Sequence, residues 1–206
     1  MSNLNPQDIV GYWLGDSAQS AEKAEARHVV WYSGGNAVDE EIRHRFLSSV
    51  LQARQGALGI WENSPEGALA LVILLDQFTR NLFRGTPEAY SGDQLAQAIA
   101  NRAISAGFEQ NLSVPGRIFL YHPFHHSETA SEQNQGVALL EALEKEVTHQ
   151  WRAYVRRSID GFGGHRDVVV RFGRFPHRNR TLGRDSTVEE LAYLESKPDT
   201  YGQTKP

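Results

Sequence analysis

Residues 68–75 read Ala68-Leu69-Ala70-Leu71-Val72-Ile73-Leu74-Leu75, and Asp76-Gln77-Phe78-Thr79-Arg80-Asn81 follows without a gap. Ser64-Pro65 marks a helix start just upstream, a hydroxyl cap followed by a proline whose missing N–H is not needed at the first helical position. The next residues are apolar on every face, and a helix hydrophobic all round is a buried one. The polar run keeps the helical register: Asp76, Arg80 and Arg84 share one face, Gln77 and Asn81 the next. This stretch predicts a central helix whose far end turns polar while still enclosed, with the rest of the chain packed around it.

Working outward towards the N-terminus, Val38, Ile42, Phe46 and Val50 recur every fourth residue, with Asp39, Glu40, Arg43 and Arg45 between them facing water. Ser33-Gly34-Gly35-Asn36 separates that helix from an alanine- and glutamate-rich helical stretch over residues 17–31. Asn5-Pro6 caps a first helix through Tyr12, Trp13 and Leu14, which Gly15 ends. Towards the C-terminus, Gly85-Thr86-Pro87 is a turn and Ser91 caps a helix through Leu95, Ala98, Ile99 and Ile104, stopped by Gly107. Val114 to Tyr121 is apolar and bounded by Pro123. Val137, Leu140, Leu143, Val147 and Trp151 predict a long helix, and a further turn leads to Gly161-Phe162-Gly163-Gly164, where an arginine-rich helix is expected to start. Pro176 disfavours helical geometry at Phe175, so 176–183 reads as loop. Thr187-Val188-Glu189-Glu190 is a capping box for a last helix through Leu191 and Leu194.

Val168-Val169-Val170 is the only β-branched run, and no strand alternation with hairpin turns accompanies it. The reading is all-α: one helical domain over 1–196 and a polar tail, 197–206, that frays. Leu71, Leu74, Leu75, Phe78, Val168 and Phe172 are expected in one buried core. The chain has 206 residues, 40% of them hydrophobic, and no cysteine. That excludes disulfides, thiolate metal sites and a cysteine nucleophile. No run of about 18 apolar residues or charged n-region with an apolar block occurs, so neither a membrane span nor a signal peptide is expected and the location predicted is cytoplasmic. A pI near 6.1 argues against nucleic acid as a partner.

Three constellations carry the chemistry. Asp76, Gln77, Arg80 and Asn81 are either a buried structural network or the wall of a polar pocket. His122, His125, His126 and Glu128 are four ligand-type residues in seven positions, but no HExxH is present and Pro123 is expected to keep His122 and His126 off one regular helix. No metal and no cofactor is therefore predicted, and a single histidine acting as acid or base is the stronger use. The third is His165 to Arg184, which holds Arg166, Arg171, Arg174, Arg178, Arg180 and Arg184 against one acid, Asp167. That segment is +5, while the remainder carries 15 basic and 24 acidic residues, or −9. Arginine's planar fork suits carboxylates, phosphates and carbonyls, so something acidic should meet it. GxSxG, Walker A and GxGxxG are all missing.

The blocks Leu75-Asp76-Gln77-Phe78-Thr79-Arg80-Asn81, His126-Ser127-Glu128 and Arg171-Phe172-Gly173-Arg174-Phe175-Pro176-His177-Arg178-Asn179 together resemble a bacterial family, domain-of-unknown-function family 924. Tyr12 to Gly15, Asp39 to Phe46, Leu69 to Gly85, Arg117 to Glu128 and His165 to Leu194 extend the match over nearly the whole chain. The resemblance implies a tetratricopeptide-repeat-like array of antiparallel helix hairpins in a curved layer, and it implies no activity. Thr79 stands where the family pattern has proline. His122, His125 and Thr129 depart from the pattern too, which weakens a four-residue metal site further, while His126 and Glu128 fit it.

Three functions remain open at this point. An anionic small molecule or peptide carboxylate binds Asp76, Gln77, Arg80, Asn81, Arg171, Arg174, His177, Arg178 and Asn179. Alternatively, an enzyme uses the same pocket, with His126 or His165 as acid or base beside Glu128. Or every one of these residues is structural and a protein partner binds the curved surface. Arg80, Arg171, Arg174 and Arg178 are expected to meet near Asp76 and Glu128, leaving about two positive charges for an anion to balance.

Overall fold

The central helix forms as the sequence requires. The computed structural model describes residues 4–33 and 35–196; the tail expected over 197–206 lies outside them. Ser64 accepts a hydrogen bond from the Gly67 amide at 3.2 Å and opens α4 at Pro65–Val72. The helix then widens into a π turn at Ile73–Phe78 and finishes as Thr79–Leu82, one continuous rod over residues 65–82. A π turn moves backbone bonds from i−4 to i−5 and loosens the carbonyls behind it. Side chains take them up here: the Thr79 hydroxyl donates to the Leu75 carbonyl at 2.7 Å, and Arg80 Nη1 to the Asp76 carbonyl at 2.5 Å. Ala68 to Thr79 is buried without a break, as an apolar rod at the centre must be.

Around it lie α1 at Pro6–Leu14, α2 at Ala21–His28 and α3 at Gly35–Arg54, then α5 at Asp93–Ser105 and α6 at Val114–His125. α7 at Ala130–Glu146, α8 at His149–Phe172 and α9 at Val188–Ser196 complete the set. No strand occurs among the described residues, and the molecule is an all-α domain. None of its described helices is long and apolar enough to cross a membrane. α1, α5 and α6 pack on α4, and α3 packs on its π turn. Trp13, Phe46, Phe78 and Phe119 lock these faces together, with Trp13 5.4 Å from Phe78 and 5.7 Å from Phe119, edge to face. α7 and α8 form an antiparallel hairpin across Val147 and Thr148, and α2 lies against α8.

Four local expectations need correction. The helix expected to run from Val137 to Trp151 breaks at Val147, whose ψ of 154° is extended, so Trp151 belongs to α8. The arginine helix does not begin at Gly161: α8 passes straight through Gly161-Phe162-Gly163-Gly164, because Phe162 is buried against Gly136 and holds the glycines in register. That helix ends at Phe172, where Gly173 turns left-handed at φ 69°, three residues before the expected stop. Ser91 does not cap α5; its hydroxyl donates to Glu88, and Gly92 precedes the helix because any Cβ there would lie 2.2 Å from the Leu75 carbonyl.

The expected single core is two. Leu71, Leu74, Leu75 and Phe78 belong to the main one, while Val168 joins Val169 and Phe175 in a separate cluster with partly buried Phe172 and Tyr193. The second cluster seats α9 on the end of α8. Thr187 and Glu190 form the expected capping box there, at 3.2 and 2.8 Å.

Candidate functional site

The π turn aims Asp76 into the protein, where its side chain is 0% exposed. It accepts from Gln77 Nε2 at 2.5 Å and from His126 Nδ1 at 2.8 Å, and it forms an ion pair with Arg80 Nη1 at 3.3 Å. Arg80 also grips Asp93 with both Nη atoms, each at 2.9 Å. Arg178 completes the network, with Nη1 3.5 Å from Asp93 and Nη2 donating to the His126 carbonyl at 3.0 Å. Its guanidinium lies between the rings of Tyr90 and Phe175, 4.6 Å from each centroid. Burial lowers the pKa of Arg178; burial also acts on Arg80, but the carboxylates of Asp93 and Asp76 more than offset it and the net shift is upward. Burial pushes the Asp93 carboxyl up, against the pull of Arg80 and Arg178.

The predicted cluster is thus partly right and differently balanced. Asp76, Gln77, Arg80 and Arg178 come together. Asn81 does not join them; it and Arg84, expected on the face of Asp76, both bind Asp39 of α3, at 2.7 and 2.6 Å. Arg171 and Arg174 point the other way, to Glu189 and to buried Glu190, and Asn179 bonds Ser186, Glu190 and Arg184. They pin α9, because the left-handed turn at Gly173 carries Arg174 off the helix face that Arg171 occupies. Glu128 accepts from the Phe175 amide and from Arg184 at 2.6 and 2.9 Å, so it is not the partner of His126. His177 packs on Phe175 beside the network, and burial and Arg178 push its pKa down to about 3. Two guanidinium groups therefore face two carboxylates, and the expected surplus of positive charge is absent. Asp93 and Tyr90 are the members that the sequence did not point to.

The histidines come together despite Pro123. That residue sits in the last turn of α6, where a proline removes a single backbone bond, and the His126 amide still reaches the His122 carbonyl at 3.0 Å. His125 and His126 rings lie 5.0 Å apart, and His165 arrives from α8 with its centroid 3.7 Å from His125. His122 bonds the Ile118 carbonyl through Nδ1 at 2.9 Å, which leaves Nε2 to accept from the Tyr32 hydroxyl at 3.4 Å. Burial, reinforced by neighbouring cationic or imidazole groups, holds His125 and His126 well below the ordinary histidine pKa; burial lowers His122 as well. Among the described residues, no group of three or more His, Asp or Glu side chains is placed to hold a metal ion.

These rings wall a cavity of about 240 Å³ that the sequence did not announce. α2 and the turn after it contribute His28 and Tyr32, α6 contributes Phe119, His122 and His125, and α8 contributes Tyr154, Arg157, Ser158, Gly161, Phe162 and His165. On α8 these recur at helical spacing, with Ser158 and Gly161 as the small members that leave the space. Tyr32 is 55% exposed, yet its hydroxyl end turns in towards His122, and burial raises its pKa. Arg157 is the cation of the wall and pairs with Glu25 through Nη2. His126 is not part of that wall.

Residues 9–198 match a family described as bacterial protein of unknown function, DUF924. The chain belongs to that family. It is also similar to a solved structure of a protein of unknown function from Agrobacterium tumefaciens, at 36% identity with a TM-score of 0.77, over 93% of this chain and 97% of that one. No curated protein matches the chain.

Proposed function

We propose that this DUF924 protein binds a small organic acid with a flat, largely apolar body in the cavity between α2, α6 and α8. The cavity itself is the observation that supports this: rings on three sides and one cation, Arg157, in its wall. Pockets of this kind take most of their affinity from apolar and aromatic walls and their orientation from a few polar groups. Burial lowers the pKa of His28, His122 and His125, which favours their neutral form, so they contribute flat surface and hydrogen bonds. Arg157 spends Nη2 on Glu25 and keeps its other donors for a ligand carboxylate. The charge-balanced Asp76 network behind the cavity makes a poor anion site and a good rigid backing. A protein partner on a tetratricopeptide-like curved surface would leave the cavity idle, and the same measurement separates the two.

Calorimetric titration with benzoate, 4-hydroxybenzoate and the uncharged benzyl alcohol tests the reading. A Cβ added at Gly161 meets nothing within 4 Å, so Gly161→Leu sets a bulky side chain in the cavity wall where the backbone has room for it. We expect the two acids to bind wild type, binding to vanish in Gly161→Leu, and Arg157→Ala to weaken the acids towards the level of the alcohol. Glu25→Gln, which frees Arg157, should tighten them. Equal binding to wild type and Gly161→Leu, or none to either, would defeat the proposal.

A further inference from the structure

The cavity between α2, α6 and α8 is polar at two ends, and a carboxylate on Arg157 uses only one of them. Two helical turns along α8 from Arg157, a rise of about 12 Å, His165 meets His125 of α6 with 3.7 Å between ring centroids. Both histidines belong to the cavity wall, and Phe162 stacks on His125 at 4.3 Å. His165 donates its Nδ1 proton to the Gly161 carbonyl at 3.2 Å, which sets the ring against which His125 lies. The two nitrogens of His125 differ. Nδ1 is sealed and has no partner, whereas Nε2 is not among the sealed atoms that lack one. Burial lowers the pKa of His125 and favours its neutral form, and a neutral imidazole carries one proton. An N–H buried without an acceptor is costlier than a buried lone pair, so the proton belongs on Nε2. The end of the cavity opposite Arg157 thus presents an imidazole N–H.

We propose that the acid taken by this cavity carries a hydroxyl on its ring opposite the carboxylate, and that the Nε2–H of His125 recognises the hydroxyl oxygen. The inference rests on the acid-binding reading of the same cavity and narrows its ligand to a para-hydroxylated aromatic acid. Length agrees with it. A benzene ring with oxygens at both para ends spans about half of the 12 Å rise, and a hydrogen bond of about 2.8 Å at each end takes up the rest. Chemistry agrees as well. An apolar group at this end would strip the N–H of water and leave it unpaired, whereas a hydroxyl oxygen satisfies it. A site built to hydrogen-bond a ligand hydroxyl therefore rejects the analogue that lacks one. His165 acts through His125 as a positioning residue, since its ring lies against the imidazole that carries the donor.

The test titrates the full chain calorimetrically with benzoate, 4-methylbenzoate and 4-hydroxybenzoate. Methyl and hydroxyl are nearly equal in size, so the ratio of the last two dissociation constants isolates the hydrogen bond. We expect 4-hydroxybenzoate to bind wild type roughly 3–10-fold more tightly than 4-methylbenzoate, the usual net worth of one hydrogen bond. His125→Phe keeps a flat ring against Phe162 and removes the donor, so it should erase that preference. If this variant fails to fold, nitrogen-15 NMR of the wild-type imidazoles decides instead. The proton of His125 should sit on Nε2, and its signal should move with 4-hydroxybenzoate far more than with 4-methylbenzoate. Benzoate binding without a preference for the hydroxyl, a preference that survives in His125→Phe, or a proton on Nδ1 overturns the inference and leaves the acid-binding reading standing. No binding of any of the three acids defeats that reading and the inference with it.

Discussion

Asp93→Asn removes one of the two negative charges that face Arg80 and Arg178 while keeping the side chain's shape. Arg80 loses a bidentate partner at 2.9 Å on each arm, and Arg178 loses the carboxylate it pairs with at 3.5 Å. Arg80 then keeps Asp76 as its carboxylate, and both arginine side chains are largely shielded, 12% and 7% exposed. Neutralising one partner of a buried pair costs about 3–5 kcal/mol, because the stranded charge can neither leave nor be solvated. For a chain of this size each kcal/mol moves the melting midpoint by about 2–4 °C, so a fall of roughly 6–20 °C is expected by scanning calorimetry. The charge count makes a second demand. Wild type has no cationic surplus for an anion to fill, whereas the variant has one. Phosphate should therefore raise the midpoint of Asp93→Asn and leave wild type nearly unmoved; saturation at a hundredfold the dissociation constant would restore about 2.7 kcal/mol. A loss below about 1 kcal/mol, or a phosphate gain in wild type equal to that in the variant, would refute the balanced network.

Leu74 is fully buried in the main core, so Leu74→Ala should cost ~2–5 kcal/mol in a denaturant titration, and a loss below ~0.5 would contradict its placement. Gly136→Ala puts a Cβ 2.9 Å from Phe124 Cβ and 3.3 Å from the Phe162 ring, where α6, α7 and α8 meet. We expect ~1–3 kcal/mol of destabilisation, measured the same way, and a neutral result would mean that the hairpin is looser than described. Acid should weaken the fold early. His122, His125, His126 and His177 have folded pKa values below the unfolded value near 6.5, so the unfolded chain binds the extra protons. Their contribution is complete above about pH 6.5 and declines below it, by up to about 1.4 kcal/mol per pH unit for each histidine. Melting temperatures should drop between pH 6.5 and 5, and a flat profile there would show these rings charging in place.

The fold was legible where a local pattern alone decided it. Ala68 to Leu75 could only be buried, and the caps at Asn5, Ser64 and Thr187 hold their helices as read. Breaks were harder, because a glycine or proline breaks a helix only when nothing compensates. Phe162, buried against Gly136, carries α8 through three glycines, and the last-turn position of Pro123 makes its lost bond cheap. Conversely Val147, apolar and in perfect register, ends α7 by turning extended. Nothing in the residue types distinguishes these outcomes, since each is settled by what packs from elsewhere.

The site shows the same division more sharply. Asp76, Arg80, His126 and Arg178 stood out because charged and imidazole groups in apolar surroundings must find partners. Which partner each one found depended on chain geometry. The left-handed turn at Gly173 sends Arg174 to Glu190, while Arg178 goes back to Asp93, so one arginine-rich run serves two structures with different purposes. The missing acid, Asp93, lies at the first turn of a helix, a position where an acid is ordinary and draws no notice. The cavity left one trace: Tyr154, Ser158, Gly161 and His165 recur on one face of α8, with small residues between rings. Read as a helix break, Gly161 concealed that stripe. Read as a gap in a continuous helix, it becomes the small residue that leaves the cavity its room.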